Sequence, residues 1–163
     1  MIKVYDLDGS VICSKHRHST LPDGTLDLQH WIENSTSEKV AKDKLLPLAE
    51  TMRLDWQAGH TIVVCTARVM GQADVEYLNV HGLNYHEILS RPIGCGTNDA
   101  ELKEIQLREY AQKIGYTWAR FCLVTEFYDD ADSVLQHLES VGLTMIDSKI
   151  ANLELRALRS HRA

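Results

Sequence analysis

Two short, mostly apolar runs, Ile2-Lys3-Val4-Tyr5 and Thr61-Ile62-Val63-Val64-Cys65, end abruptly in polar groups. Short runs this apolar, bounded by polar groups, predict buried strands. The first strand is read over residues 2–6 and the second over 61–65. Between them, Leu45, Leu48, Ala49, Met52 and Trp56 recur at helical spacing from Lys42 onward, and Gly59 is a natural stop. A helix over 70–80, closed by His81-Gly82, leads to a short strand at 85–90 and a breaker-rich loop, Arg91-Pro92-Ile93-Gly94-Cys95-Gly96-Thr97. Asn98 or Asp99 caps a helix whose apolar face is Leu102, Ile105, Tyr110 and Ile114. A strand at 121–124, a helix at 131–141 ended by Gly142, a last strand at 143–146 and a C-terminal helix capped by Ser148 complete the pattern.

Alternating strand and helix predict right-handed parallel crossovers and a three-layer α/β/α domain over residues 1–163. Residues 13–40 break the rhythm. They are polar, lack sustained periodicity and carry a turn at Pro22-Asp23-Gly24, so they read as a flap or small cap inserted after the first strand.

A length of 163 residues with 44% hydrophobic content suits one ordinary core. The formal net charge of −6 argues against an extended nucleic-acid-binding surface, so a phosphate-bearing partner would be gripped locally. Cys13, Cys65, Cys95 and Cys122 show no metal or redox spacing; Cys65 and Cys122 lie in apolar runs and read as buried free thiols. No apolar stretch of membrane-spanning length and no signal pattern is seen, so a soluble cytoplasmic protein is expected. Homo-oligomerisation stays open, since no residue argues for it.

The chemistry lies where the strands end. Asp6-Leu7-Asp8-Gly9-Ser10 follows the first strand, Thr66 and Arg68 the second, Arg91 the third, and Asp129-Asp130 the fourth. In an open parallel sheet those ends share one edge, where ligands bind. Two carboxylates beside a buried strand are costly without a task. Phosphoryl transfer supplies one: Asp6 as nucleophile and Asp8 as general acid and base. Asp6, the Asp8 carbonyl and Asp129 would be oxygen ligands for Mg²⁺. Thr66 and Lys103 would bind the phosphoryl group. Arg68 and Arg91 are candidates for substrate contacts. Lys15-His16-Arg17-His18 reads either as a solvated loop or as a flap on which Lys15 and Arg17 recognise the rest of an anionic substrate. Trp31 and Trp56 read as packing residues, with Trp31 alternatively stacking on a base.

These residues resemble motifs I to IV of the haloacid dehalogenase superfamily of phosphatases: Asp6-Leu7-Asp8-Gly9-Ser10-Val11, Thr66, Lys103 and Asp129-Asp130, in order across residues 2–147. Ser10 replaces the more usual Thr. The resemblance implies a Rossmann-like α/β/α fold, Mg²⁺, an aspartyl-phosphate route and metal ligation by Asp6, Asp8, Asp129 and Asp130. A narrower likeness is to the 3′-phosphatase domain of phage-type polynucleotide kinases, carried by Thr66-Ala67-Arg68 and by Arg91-Pro92-Ile93-Gly94 leading through Asp99 to Lys103. A second basic residue usual in that loop is replaced by Thr97 and Asn98, and no nucleotide-binding phosphate loop exists for a kinase half. The expected substrate is therefore a phosphorylated nucleotide or a nucleic-acid 3′ end. A 5′-nucleotidase or other small-metabolite phosphatase is the alternative, and a non-catalytic nucleotide-binding protein the alternative of another class.

Overall fold

A computed structural model describes residues 1–162. Its central sheet holds five parallel strands: β1 (Ile2–Tyr5), β4 (Thr61–Cys65), β5 (Glu87–Leu89), β6 (Thr125–Asp129) and β7 (Thr144–Asp147). Their spatial order is β5-β4-β1-β6-β7. The chain winds outward from β1 through β4 to β5, then returns to the other side of β1 for β6 and β7. That reversal places the topological switch point between β1 and β6, the position at which open α/β sheets form their ligand crevice.

Alternate residues of each strand serve opposite faces. Ile2, Val4, Val63, Cys65 and Phe127 join one core with α5 (Asp99–Lys113), α6 (Trp118–Leu123) and α7 (Asp132–Ser140). Tyr5, Ile62 and Val64 join the other with α3 (Leu48–Gln57), α4 (Gln72–Val80) and α8 (Ser148–Arg162). Burial on both faces is why β4 lacks polar alternation, and in β1 the single polar residue, Lys3, is paired with Glu126.

Three expectations need correction. Residues 121–123 belong to α6 and Val124 is its C-cap, so this run is not a strand. The Thr117 hydroxyl caps this helix by accepting from the Arg120 N–H, Phe121 is fully buried and Leu123 is 82% exposed. The strand begins at Thr125, so Asp129 is its last residue rather than part of a loop beyond it. Leu45 is likewise not helical. It lies in β3 (Lys44–Leu45), antiparallel to β2 (Ile12–Cys13), and α3 starts only after Pro47. Finally, the cap of α8 is Asp147, whose carboxylate accepts from the Lys149 N–H, leaving the Ser148 hydroxyl for another partner.

The two-stranded β2–β3 ladder is the stalk of the inserted segment. Beyond it come a 3₁₀ turn (Lys15–Arg17), α1 (Leu28–Glu33) and α2 (Ser37–Val40), with Trp31 and Val40 buried. Asp27 and Thr36 cap the two helices. Among the described residues, no helix is long and apolar enough to cross a membrane.

Candidate active site

Asp6 leaves the end of β1 into the switch-point crevice, and Asp129 stands at the end of the neighbouring β6. Lys103, from the first turns of α5, lies between them: its ammonium donates to Asp6 Oδ1 at 3.0 Å and Asp129 Oδ2 at 2.6 Å. All three are buried. Asp129 Oδ1 accepts from the Ala131 N–H at 3.0 Å, which fixes the carboxylate at the entry to α7. Asp6, Asp129 and Asp130 each offer a carboxylate oxygen, and the three oxygens lie within 4.8 Å of one another.

Three carboxylates thus face one ammonium, an excess of negative charge. Burial and then the Asp129 charge push the Asp6 carboxyl well above its ordinary range, with Lys103 opposing. Burial and Asp129 also raise Asp130. Burial works against the Lys103 charge, yet Asp6 and Asp129 outweigh it and hold the ammonium protonated. A set of hard oxygen donors with surplus negative charge fits a divalent cation. Asp6, Asp129 and Asp130 are the side chains that would hold one.

Asp8 does not join that trio. Arg68 grips its carboxylate with both arms, Nε to Oδ2 at 2.9 Å and Nη2 to Oδ1 at 2.6 Å, and Ser14 Oγ donates to the same Oδ1. Burial alone would raise this carboxyl, but the Arg68 charge and these hydrogen bonds hold it well below the usual carboxylate range. Thr66 is buried at the end of β4, its Oγ1 accepting from the Arg68 N–H at 3.1 Å.

Three basic residues read as substrate contacts have other partners. Arg68 also donates Nη1 to Asp74 at 2.7 Å and is 2% exposed, so it positions Asp8. Arg17 is equally buried and forms two bonds with Asp43, at 2.9 and 2.7 Å, while its guanidinium lies 4.1 Å from the Trp31 ring centre. Arg91 fastens the 91–99 loop through Ala67 O, Cys95 O, Thr97 O and the Asp99 carboxylate. Three of these four partners are backbone carbonyls, which no residue pattern announces. Lys15 is exposed on the 3₁₀ turn. Trp31, 1% exposed and covered by Arg17, is closed to a stacking base, and Trp56 packs on His86. Of the thiols, Cys65 is buried, Cys122 half-buried, and all four are free.

Gly9 lets the chain turn sharply between Asp8 and Ser10. Its φ is +81°, and a Cβ there would sit 2.2 Å from Asp130 Oδ2. Gly9→Ala therefore costs about 1–2 kcal/mol for the left-handed backbone, and it displaces Asp130 as well. The rise in melting temperature on adding Mg²⁺ is expected to shrink in this variant; an undiminished rise would show that Asp130 has no part in holding the ion.

The arrangement is that of a haloacid dehalogenase-type fold. Among solved structures, a hydrolase of that family from Streptococcus pneumoniae superposes with a TM-score of 0.61 at 9% identity, covering 90% of this chain and 83% of its own. A Geobacter sulfurreducens superfamily member gives 0.59 at 14%, over 90% and 88%. A chain of the Pnkp1/Rnl/Hen1 RNA repair complex gives 0.62 at 19%, over 90% of this chain and 41% of that one. Residues 1–161 match the family described as Bacteriophage T5 5′-deoxynucleotidase, and the chain belongs to that family. The 5′-deoxynucleotidase of Escherichia phage T5 is 36% identical over 86 residues, which span 50% of this chain and 35% of that protein.

Proposed function

We propose that this protein is a Mg²⁺-dependent phosphomonoesterase that removes the 5′-phosphate of deoxynucleoside monophosphates through a phosphoaspartate at Asp6. The observation that carries the reading is the Lys103 ammonium bonded to both Asp6 and Asp129, with Asp130 completing an oxygen-only trio. When bound, Mg²⁺ supplies the positive charge that lets an anionic nucleophile approach an anionic phosphate.

The chain's own groups do the rest. An Asp6 carboxylate oxygen bonds to phosphorus as the ester P–O bond breaks, and Asp8 gives its proton to the leaving 5′-oxygen. Water then attacks the phosphorus of the phosphoaspartate and loses a proton to Asp8, which restores Asp6 and releases inorganic phosphate. Arg68 keeps Asp8 ionised at rest, the state needed for the second half. For the first half, an approaching phosphate dianion raises the proton affinity of Asp8, as any neighbouring like charge does. Lys103 has three N–H donors and spends two on Asp6 and Asp129, so the third is left for a phosphoryl oxygen.

Family membership favours a 5′-monophosphate over the 3′-phosphate end that the motif likeness emphasised. A panel of deoxynucleoside 5′- and 3′-monophosphates, ribonucleoside 5′-monophosphates, 3′-phosphorylated oligonucleotides and sugar phosphates, with and without Mg²⁺, tests both levels. The highest kcat/KM is expected on deoxynucleoside 5′-monophosphates with Mg²⁺. A preference for 3′-phosphorylated ends would replace the substrate but keep the chemistry. Binding of nucleotides without any phosphate release would make the protein a non-catalytic binder.

A further inference from the structure

The C-terminal helix reaches the nucleophile from behind. Ser10 Oγ donates to Asp6 Oδ2 at 3.2 Å and also lies 2.7 Å from the Ser148 hydroxyl. A hydroxyl has one hydrogen to give. Since Ser10 gives its hydrogen to Asp6, Ser148 must be the donor in the second contact, and the bonds run Ser148 to Ser10 to Asp6. One turn along α8, Asn152 donates Nδ2 to Ser10 O at 2.9 Å and accepts from the Leu48 N–H at 2.9 Å. Ser10 and Ser148 are fully buried, and Asn152 is 4% exposed. Because Asp147 serves as the helix cap, Ser148 spends nothing on its own helix end.

We propose that Ser148 and Asn152 are positioning residues for the nucleophile, acting through Ser10. The inference rests on the reading of Asp6 as the attacking group. A carboxylate is planar, and two fixed points set its plane: Lys103 holds Oδ1 and Ser10 holds Oδ2. Ser10 is itself held at two points by one face of α8, its hydroxyl by Ser148 and its carbonyl by Asn152. Without Ser148 the Ser10 hydroxyl is free to turn, and the Asp6 plane spreads over orientations from which attack on phosphorus is poorly aligned. The loss falls on the chemical step rather than on substrate binding.

A double-mutant cycle tests this on p-nitrophenyl phosphate and a deoxynucleoside 5′-monophosphate. Ser148→Ala is expected to lower kcat about tenfold, with KM changed less than about twofold. In a Ser10→Ala background the same substitution is expected to change kcat by less than about twofold. Asn152→Ala is expected to lower kcat in the same direction, and Ser148→Thr, which keeps the hydroxyl, to recover most of the rate. Equal fold losses in both backgrounds, or an unimpaired Ser148→Ala enzyme, would overturn the proposal. Should Ser148→Ala fail to fold, Ser148→Cys, with similar volume and a weak donor, enters the same cycle under the same criteria. A wild type inert on both substrates would remove the proposed function and this inference with it. An active wild type with an unaffected Ser148→Ala would remove this inference alone.

Discussion

Asp6→Asn is expected to lower kcat by about 10⁴-fold or more, the scale of removing a covalent nucleophile, in a protein that stays folded. The amide keeps the shape of the carboxylate in a fully packed place, and its partners adapt. Lys103 donates to the remaining oxygen, while the Ser10 and Ser148 hydroxyls turn so that Ser10 accepts from the new amide. Stability moves the opposite way from activity. Burial and Asp129 raise the proton affinity of Asp6 in the folded state above its unfolded value. Its ionised form therefore destabilises the metal-free protein at pH values above both. In EDTA at pH 8 the Asn variant should melt at a higher temperature than wild type. The difference should close as pH falls and the wild-type carboxyl takes up its proton. With Mg²⁺ the order should reverse, because wild type alone keeps all three carboxylate charges that a divalent cation offsets. Phosphate release from the variant at more than a tenth of the wild-type rate would rule out Asp6 as nucleophile.

This opposition separates two kinds of charge in the site. Around Asp6, Asp129 and Asp130, negative charge exceeds positive, and the surplus is what a cation and a phosphate require. Around Asp8, the guanidinium of Arg68 bonds both Asp8 and Asp74, and Arg17 stands against Asp43 with Asp74 3.6 Å away. There three carboxylates meet two guanidiniums through direct ion pairs and paired hydrogen bonds, and the consequence is orientation.

β1 and β4 are legible because burial on both faces leaves mostly apolar runs, and the approach of Asp6 to Asp129 follows from β1 and β6 being parallel neighbours. β6 begins four residues after the start of the apolar run at 121–124. Its sequence, Thr-Glu-Phe-Tyr-Asp, alternates buried and half-buried positions and contains no aliphatic side chain, whereas the apolar run just before it is a short helix. Runs that short do not separate helix from strand. Nothing near Arg17, Arg68 or Arg91 in sequence identifies all their partners, which come largely from other elements or from backbone carbonyls. Asp43 lies just before β3 and Asp74 in the first turn of α4, where it also accepts from the Gly71 N–H like any helix-capping residue. Ser148 and Asn152 stand 138 and 142 positions from Ser10, and no local pattern joins them.

Arg68→Met is expected to destabilise the protein by about 3–5 kcal/mol at neutral pH, the cost of leaving buried carboxylates without their cation. It should also reduce kcat by about 10²-fold or more, within the range lost with general acid–base catalysis. The methionine fills much of the space but leaves Asp8 with the Ser14 hydroxyl and the His18 ring 3.9 Å away, and Asp74 with the Gly71 N–H and a distant Arg17. The pH dependence identifies the cause. Arg68 lowers the proton affinity of folded Asp8, so its contribution is complete above the ordinary carboxylate value of about 4 and declines as pH falls below it. The gap between wild type and variant in chemical denaturation should therefore be flat from pH 8 to about 5 and narrow toward pH 3. Arg68→Lys should recover little of either loss, because an ammonium cannot bind both oxygens of Asp8 and reach Asp74 at once. A Lys variant with wild-type kcat would show that charge alone suffices and that the two-armed grip on Asp8 is not what orients it.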